Sequence, residues 1–302
     1  MNLVLNKLTA NGIIMRLVTF LRQGKSYIGC PVGNQIVDLS IAAPSLPTDL
    51  LSLLEMGPEG MKQAETAAKS ASSDAFISVD EVTYLPLIPR PPKIICIGRN
   101  YAAHAIEGGA LPPTSPEIFY RGSTSLIAHN EPIIRPKCSD KLDYEAELVA
   151  IIGRKAKNVA KEDALNYVAG YTLFNDATLR DYQKRSSQWT IGKNFDNTGA
   201  FGPEFVSADE LPAGADGLRI QSRLNGQIMQ DANTRDFIFP IDDLIAKLSE
   251  CMTLEPGDVI VTGTPAGVGY ARNPPVFMKD GDICEIEIEG IGVLSNPVMD
   301  ET

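Results

Sequence analysis

The sequence predicts an α+β architecture dominated by β-strands, with a small N-terminal β-rich domain ahead of a larger strand-rich body. Three observations carry this. Short apolar runs ended by Gly, Asn, Asp or Pro recur along the chain, whereas helical periodicity is confined to a few brief stretches. The proline-rich segment LPLIPRPPK, Leu85 to Lys93, cannot enter a helix or a sheet interior and so divides the chain. Strands and helices do not alternate in the manner of a doubly wound parallel sheet.

The elements follow in order. Residues 1–14 lack the charged start, long apolar run and cleavage site of a secretory signal and read as a flexible N-terminal extension. From Arg16 to about Leu39, apolar runs broken at Gln23-Gly24 and Gly33-Asn34 predict a small β meander, followed by helices over Asp49 to Glu55 and Glu59 to Ser73. These make up a small domain over 15–84, with 85–93 as linker and 94–302 as the main domain. In the latter, KIICIG reads as a buried strand and NYAAHAIEGG as a helical turn. The runs YEAELVAIIG, YVAGYTLFND, LRIQSRLNG, GDVIVTGTP and DICEIEIEGIGVLSN read as strands, and about Lys161 to Tyr167 and Pro240 to Ser249 as helices.

Composition removes several classes of function. Hydrophobic residues make up 44% and charged residues 22% of 302, ordinary globular usage, and no apolar run is long enough to span a membrane. A formal charge of -11 and a pI near 4.8 would repel a phosphate backbone, which excludes nucleic acid as a partner. The same charge means that a site for an anionic substrate must supply its own positive groups. Five cysteines, Cys30, Cys96, Cys138, Cys251 and Cys284, show no CxxC pair and read as buried free thiols, consistent with a cytoplasmic protein. No strand-turn-helix GxGxxG marks a dinucleotide site.

The chemistry concentrates in DYEAELVAIIG. Glu145 and Glu147 are two apart, so on a strand both carboxylates point to one face, with apolar residues anchoring the strand beyond them. Buried side by side, they stay ionised only around a cation. Spacing alone equally allows a solvent-facing pair. The metal reading gains from YVAGYTLFND, which ends on Asp176 and offers a third carboxylate; three such groups without His or Cys suit Mg²⁺ or Mn²⁺.

GRNYAAHAIEGG, DYEAELVAIIG, GYTLFNDATLRD, QWTIGKNFDNTGAFGP and VIVTGTPAGVG, in this order between about Lys93 and Pro297, resemble the fumarylacetoacetate hydrolase superfamily. The resemblance implies a mixed β-sandwich or β-roll for the main domain, one metal ion per subunit on Glu145, Glu147 and Asp176, and a homodimer. His104 and Glu107, three apart on a helical turn, match the family's catalytic dyad, on a segment that closes over substrate. Lys193 and Gln188 match positions that reach substrate oxygens, and Thr264 one near the substrate carboxylate. Arg121 and Arg180 are further candidates for substrate binding, Arg180 also as a support for the metal ligands. His129 reads as structural.

The function expected from this set is hydrolysis of a C–C bond in a small β-diketo acid of the acylpyruvate or fumarylpyruvate type. His104 and Glu107 would activate water, and the metal would stabilise the departing enolate. The same enolate chemistry serves an isomerase or decarboxylase acting on a hydroxymuconate-like or oxaloacetate-like diacid. A protein of another class, binding a diacid without turning it over, would be expected to lack the dyad that is present here.

Overall fold

The computed structural model describes residues 15–302, and the expected extension at residues 1–14 lies outside the described residues. A large mixed sheet runs through the molecule. Its longer strands follow the spatial order Phe76–Ser78, Gln35–Asp38, Lys25–Val32, Arg16–Arg22, Gly199–Ser207, Val168–Asp176, Ala146–Ile152, Val259–Val261, Ile94–Gly98 and Glu117–Tyr120. A second sheet of five strands has the order Gln227–Asn233, Arg219–Leu224, Ile283–Ile288, Gly292–Asp300 and Ile133–Arg135. The mainly β architecture is therefore as predicted.

The strand AELVAII has no polar face because both of its faces are covered, the pattern expected of a strand in the centre of a layered fold. Leu148, Ala150 and Ile152 belong to a core shared with Ile220, Ile286 and Leu294 of the second sheet and with Leu244, Ile245 and Leu248 of the helix Ile241–Cys251. Val149 and Ile151 belong to a second core, with Phe174, Phe201 and Phe205 of the large sheet and Leu53, Leu54 and Met61 of the helices Leu50–Glu55 and Gly57–Lys69. Side-chain alternation along one strand thus feeds two cores.

The predicted meander and the helix over Asp49 to Glu55 are present, with Asp49 accepting the N-capping hydrogen bond of Ser52 N–H. The next helix starts earlier and stops sooner than expected, at Gly57–Lys69, because Pro58 sits in its first turn. The segment 85–93 carries neither helix nor strand, as its prolines require. It is nonetheless packed: Leu87 is 0% and Ile88 2% exposed, and Thr19 Oγ1 donates to the Leu87 carbonyl at 2.7 Å. The N-terminal strand Arg16–Arg22 pairs antiparallel with Gly199–Ser207, so the segments on either side of the proline run share one sheet and one core.

Gly199–Ser207 was not among the expected strands. Gly199, Gly202 and Pro203 argue against a sheet position. The structure accommodates them with an irregularity, the pairing passing from Leu173 opposite Gly202 to Tyr171 opposite Val206. The cysteine expectation needs a correction also: all five are free, but Cys138 and Cys251 are exposed, being in surface segments and not in the strand interiors that bury Cys30, Cys96 and Cys284. No described helix is long and apolar enough to cross a membrane.

Phe205 lies opposite Leu17 on the partner strand, and both side chains are fully buried. Phe205→Ala should lower the free energy of unfolding by about 3–5 kcal/mol in urea titrations. A loss below about 1 kcal/mol would mean that this junction does not hold the N-terminal strand in place.

Candidate active site and metal centre

The register of the central strands assembles the acidic site. Ala146 pairs with Asn175 and Glu147 with Phe174, which places Glu145 opposite Asp176 at the open end of the pair. Asp176 N–H closes the ladder there by donating to the Glu145 carbonyl at 3.0 Å. Asn175, between them in sequence, turns to the other face and accepts from Glu145 N–H at 3.0 Å. Glu145, Glu147 and Asp176 are all buried, and ligand oxygens of the three lie within 4.8 Å of one another. They are the one such group of potential metal ligands among the described residues.

Three buried cations balance most of this charge. Lys193, 2% exposed on the short helix Thr190–Lys193, donates through Nζ to Glu145 Oε2 and Asp176 Oδ2, each at 2.6 Å. Arg180 bridges Asp143 Oδ2 at 2.8 Å and Glu145 Oε1 at 2.7 Å. Arg121 pairs with Asp176 Oδ1 and is held by Thr198 Oγ1 at 2.8 Å. Glu147 is the exception: its carboxylate accepts the Gly263 backbone N–H at 2.5 Å and has no ion pair among the described residues.

The protonation preferences follow from this asymmetry. Burial pushes the Glu145 carboxyl up, but Lys193 and Arg180 outweigh it and bring it down to about 2. Burial, with the neighbouring Asp176 and Glu145 charges, pushes Glu147 well above the usual carboxylate range. Burial disfavours the Lys193 ammonium, yet Asp176 and Glu145 hold it above its ordinary value. A buried carboxylate beside two others, with no cation of its own among the described residues, is the arrangement that a hard divalent ion would satisfy. The residues therefore fit a metal, with Glu145, Glu147 and Asp176 as its ligands.

His104 and Glu107 are brought together as their spacing predicts, on the helix Ala102–Glu107, with Nδ1 2.9 Å from Glu107 Oε1. Glu107 Oε2 in turn accepts the Gly267 N–H at 2.9 Å. The carboxylate is thus fixed at both oxygens, and because an ionised carboxylate only accepts, the proton belongs on Nδ1 and the lone pair on Nε2. Gly267 is required at this point. Its φ is +106°, and a Cβ there would lie 2.4 Å from the Met229 carbonyl oxygen.

A pocket of about 260 Å³ opens over these groups. His104, Glu145, Glu147, Arg180, Lys193 and Thr264 all line it. Thr264 is 2% exposed, and its hydroxyl accepts from Gln230 Nε2 at 2.7 Å. One wall is Trp189, stacked edge-on to Phe119 and lying where any side chain at residue 98 would stand, a Gly98 Cβ being 2.1 Å from its ring.

Two expected substrate contacts are placed elsewhere. Arg121 does not line the pocket, since its guanidinium is used up behind Asp176. Gln188 is exposed and does not line it either, its backbone being engaged by Ser186. Gln183 lines the pocket in its place, with Oε1 accepting from Arg180 Nη1 at 3.0 Å. The helical spacing Arg180 to Gln183 was the available signal for it. Asp143 was also missed. It is fully buried and accepts from Gly269 N–H, Tyr270 N–H and Arg180, which ties the glycine-rich loop to the metal ligands. His129, as expected, is structural, its Nδ1 accepting from Ser295 N–H at 3.1 Å.

Residues 93–299 match the fumarylacetoacetate (FAA) hydrolase C-terminal family. The chain belongs to that family. It is similar to the mitochondrial oxaloacetate tautomerase fahd2 of Xenopus laevis, with 41% identity over 269 residues, 88% of this chain and 83% of the frog protein. Among solved structures it is similar to a fumarylacetoacetate hydrolase from Exiguobacterium antarcticum, with a TM-score of 0.81 and 33% identity over 95% of this chain and all of that one. It is also similar to a maleylpyruvate hydrolase from Sphingobium in complex with manganese and pyruvate, with a TM-score of 0.79 and 30% identity over the same shares. The chain shares the fold of these structures, and the proteins it resembles carry both tautomerase and hydrolase names.

Lys193→Met should cost the chelator-treated protein about 3–5 kcal/mol of stability in denaturant titrations, because it removes one of the two cations that pair with each of two buried carboxylates. Added divalent cation should restore part of that loss. Unchanged stability would show that Lys193 is not the group that neutralises them.

Proposed function

We propose that this protein is a metal-dependent enzyme that interconverts the keto and enol forms of an oxaloacetate-type 2-oxo diacid. The observation that carries this reading is the 41% identity to a protein named oxaloacetate tautomerase across 88% of the chain, and the intact His104–Glu107 dyad over the pocket supports it. Mg²⁺ or Mn²⁺, held by Glu145, Glu147 and Asp176, would supply Lewis acidity beside the keto group; their hard oxygen ligands support the choice, as does the manganese in the Sphingobium structure.

The chain's own groups provide the proton traffic. His104 Nε2 removes a proton from the carbon between the keto and distal carboxylate groups and returns it to the former keto oxygen, so the net change is the position of one hydrogen. Glu107 stabilises the imidazolium that forms in between and, through Gly267, keeps the ring aimed at the pocket. Arg180, Gln183 and Thr264 would hold substrate oxygens, a role supported by their lining the pocket. The five free cysteines support a reducing compartment such as the cytoplasm. The exposed Ile118 and Tyr120 on the edge strand Glu117–Tyr120 support the expected homodimer.

Hydrolysis of a β-diketo acid, the activity the sequence favoured, remains the second reading because the same dyad would activate water and a hydrolase shares the fold at 30% identity. The test is to follow the decay of enol-oxaloacetate, and pyruvate release from acetylpyruvate and fumarylpyruvate, with chelator-stripped and metal-loaded protein. Metal-dependent acceleration of the tautomerisation is expected, reduced by about 100-fold or more in His104→Gln and deprived of its metal response in Glu147→Ala. Pyruvate release without faster tautomerisation would transfer the assignment to the hydrolase, CO₂ release to a decarboxylase, and binding without turnover to a diacid-capturing protein.

A further inference from the structure

Four cationic side chains line the pocket: Arg99, Arg180, Lys184 and Lys193. Arg180 and Lys193 are buried and each bridges two carboxylates of the acidic cluster. Arg99 is paired with Glu117 at 3.2 Å and lies over the Trp189 ring at 5.1 Å. Lys184 differs from all three, having no carboxylate partner among the described residues. In a chain of net charge -11, a lysine that lines a pocket with no ion-pair partner among the described residues has its charge available to a ligand.

Its position is set by the fold. Lys184 caps the helix Arg180–Gln183, its backbone N–H donating to the Arg180 carbonyl at 3.2 Å, so the two side chains leave the same face one turn apart. Both rest on the ring of Tyr270, Arg180 at 4.4 Å and Lys184 Nζ at 4.4 Å from its centroid. Tyr270 is itself held through its backbone N–H by Asp143 at 2.9 Å. The ring is thus shared by a buried cation, Arg180, which is bound to the carboxylate cluster, and an exposed one, Lys184.

We infer that Lys184 is the specificity-determining residue that takes the second carboxylate of a dianionic 2-oxo acid, the first being held at the inner end beside Arg180. This rests on the reading of the pocket as a 2-oxo acid site and adds to it the residue that separates diacids from monoacids. The exposure of Lys184 limits what it contributes to folding, so its replacement leaves the scaffold intact.

The test compares steady-state tautomerisation of oxaloacetate and of its 4-methyl ester by the wild type and by Lys184→Met, Lys184→Arg and Arg99→Met. Lys184→Met should raise KM for oxaloacetate about tenfold, keep kcat within about twofold, and leave KM for the ester unchanged, while Lys184→Arg stays close to wild type. An equal rise for both compounds, no rise, or a rise confined to Arg99→Met overturns the assignment. If the wild type turns over neither compound, the tautomerase reading has failed, and calorimetry with pyruvate and 2-oxoglutarate on the manganese-loaded protein decides on Lys184. Loss of the preference for the dicarboxylate in Lys184→Met upholds the inference; an unchanged preference, or no binding of either acid, overturns it.

Discussion

Four buried carboxylates, Asp143, Glu145, Glu147 and Asp176, meet three buried cations, Arg121, Arg180 and Lys193, and this imbalance governs the rest of the molecule. Each ion has lost its water, a cost of several kcal/mol that only close pairing offsets. Lys193 and Arg180 hold Glu145 ionised, and Arg121 and Lys193 pair with Asp176. Glu147 is left with a single backbone donor. Four carboxylates thus face three cations where the three ligand oxygens converge, an arrangement that a hard cation would complete.

Everything around the cluster serves to keep those groups dry and in register. The strands that carry Glu147 and Asp176 are anchored by apolar side chains entering two separate cores, so neither strand can slip without moving its hydrophobic residues to the wrong face. The helices Leu50–Glu55 and Gly57–Lys69 pack on one side of the sheet, and the five-stranded sheet with the helix Ile241–Cys251 packs on the other. The glycine-rich loop then joins the two halves of the chemistry: Gly263 touches Glu147, Gly267 holds Glu107, and Gly269 and Tyr270 are held by Asp143. The acidic cluster and the His104–Glu107 pair are thus tied to one backbone segment.

Much of this was legible in the chain itself. Glu145 and Glu147 two apart, Asp176 at the end of an apolar run, and His104 with Glu107 three apart are local spacings, and local geometry converts them directly into shared faces. The strand Gly199–Ser207 was hidden because its glycines and Pro203 contradict strand propensity, and only pairing on both sides makes it one. Gln183 stands one helical turn from Arg180, a spacing the chain does carry, whereas Gln188 lies beyond a turn whose path no periodicity predicts. Arg121 has the charge for a substrate contact, and its direction was settled by Asp176 from a distant strand.

The sequence by itself determined the mainly β class, the three carboxylates, the dyad and the family, because each depends on residues close together in the chain or on motifs in fixed order. Only the tertiary structure decided that Lys193 lies between Glu145 and Asp176, that Arg121 stands behind the site and Gln183 within it, and that the N-terminal segment shares a sheet with the main body across its proline run. The reason is that buried charge is neutralised by whichever group the packing brings within reach, and partners far apart in sequence carry no local signal of one another.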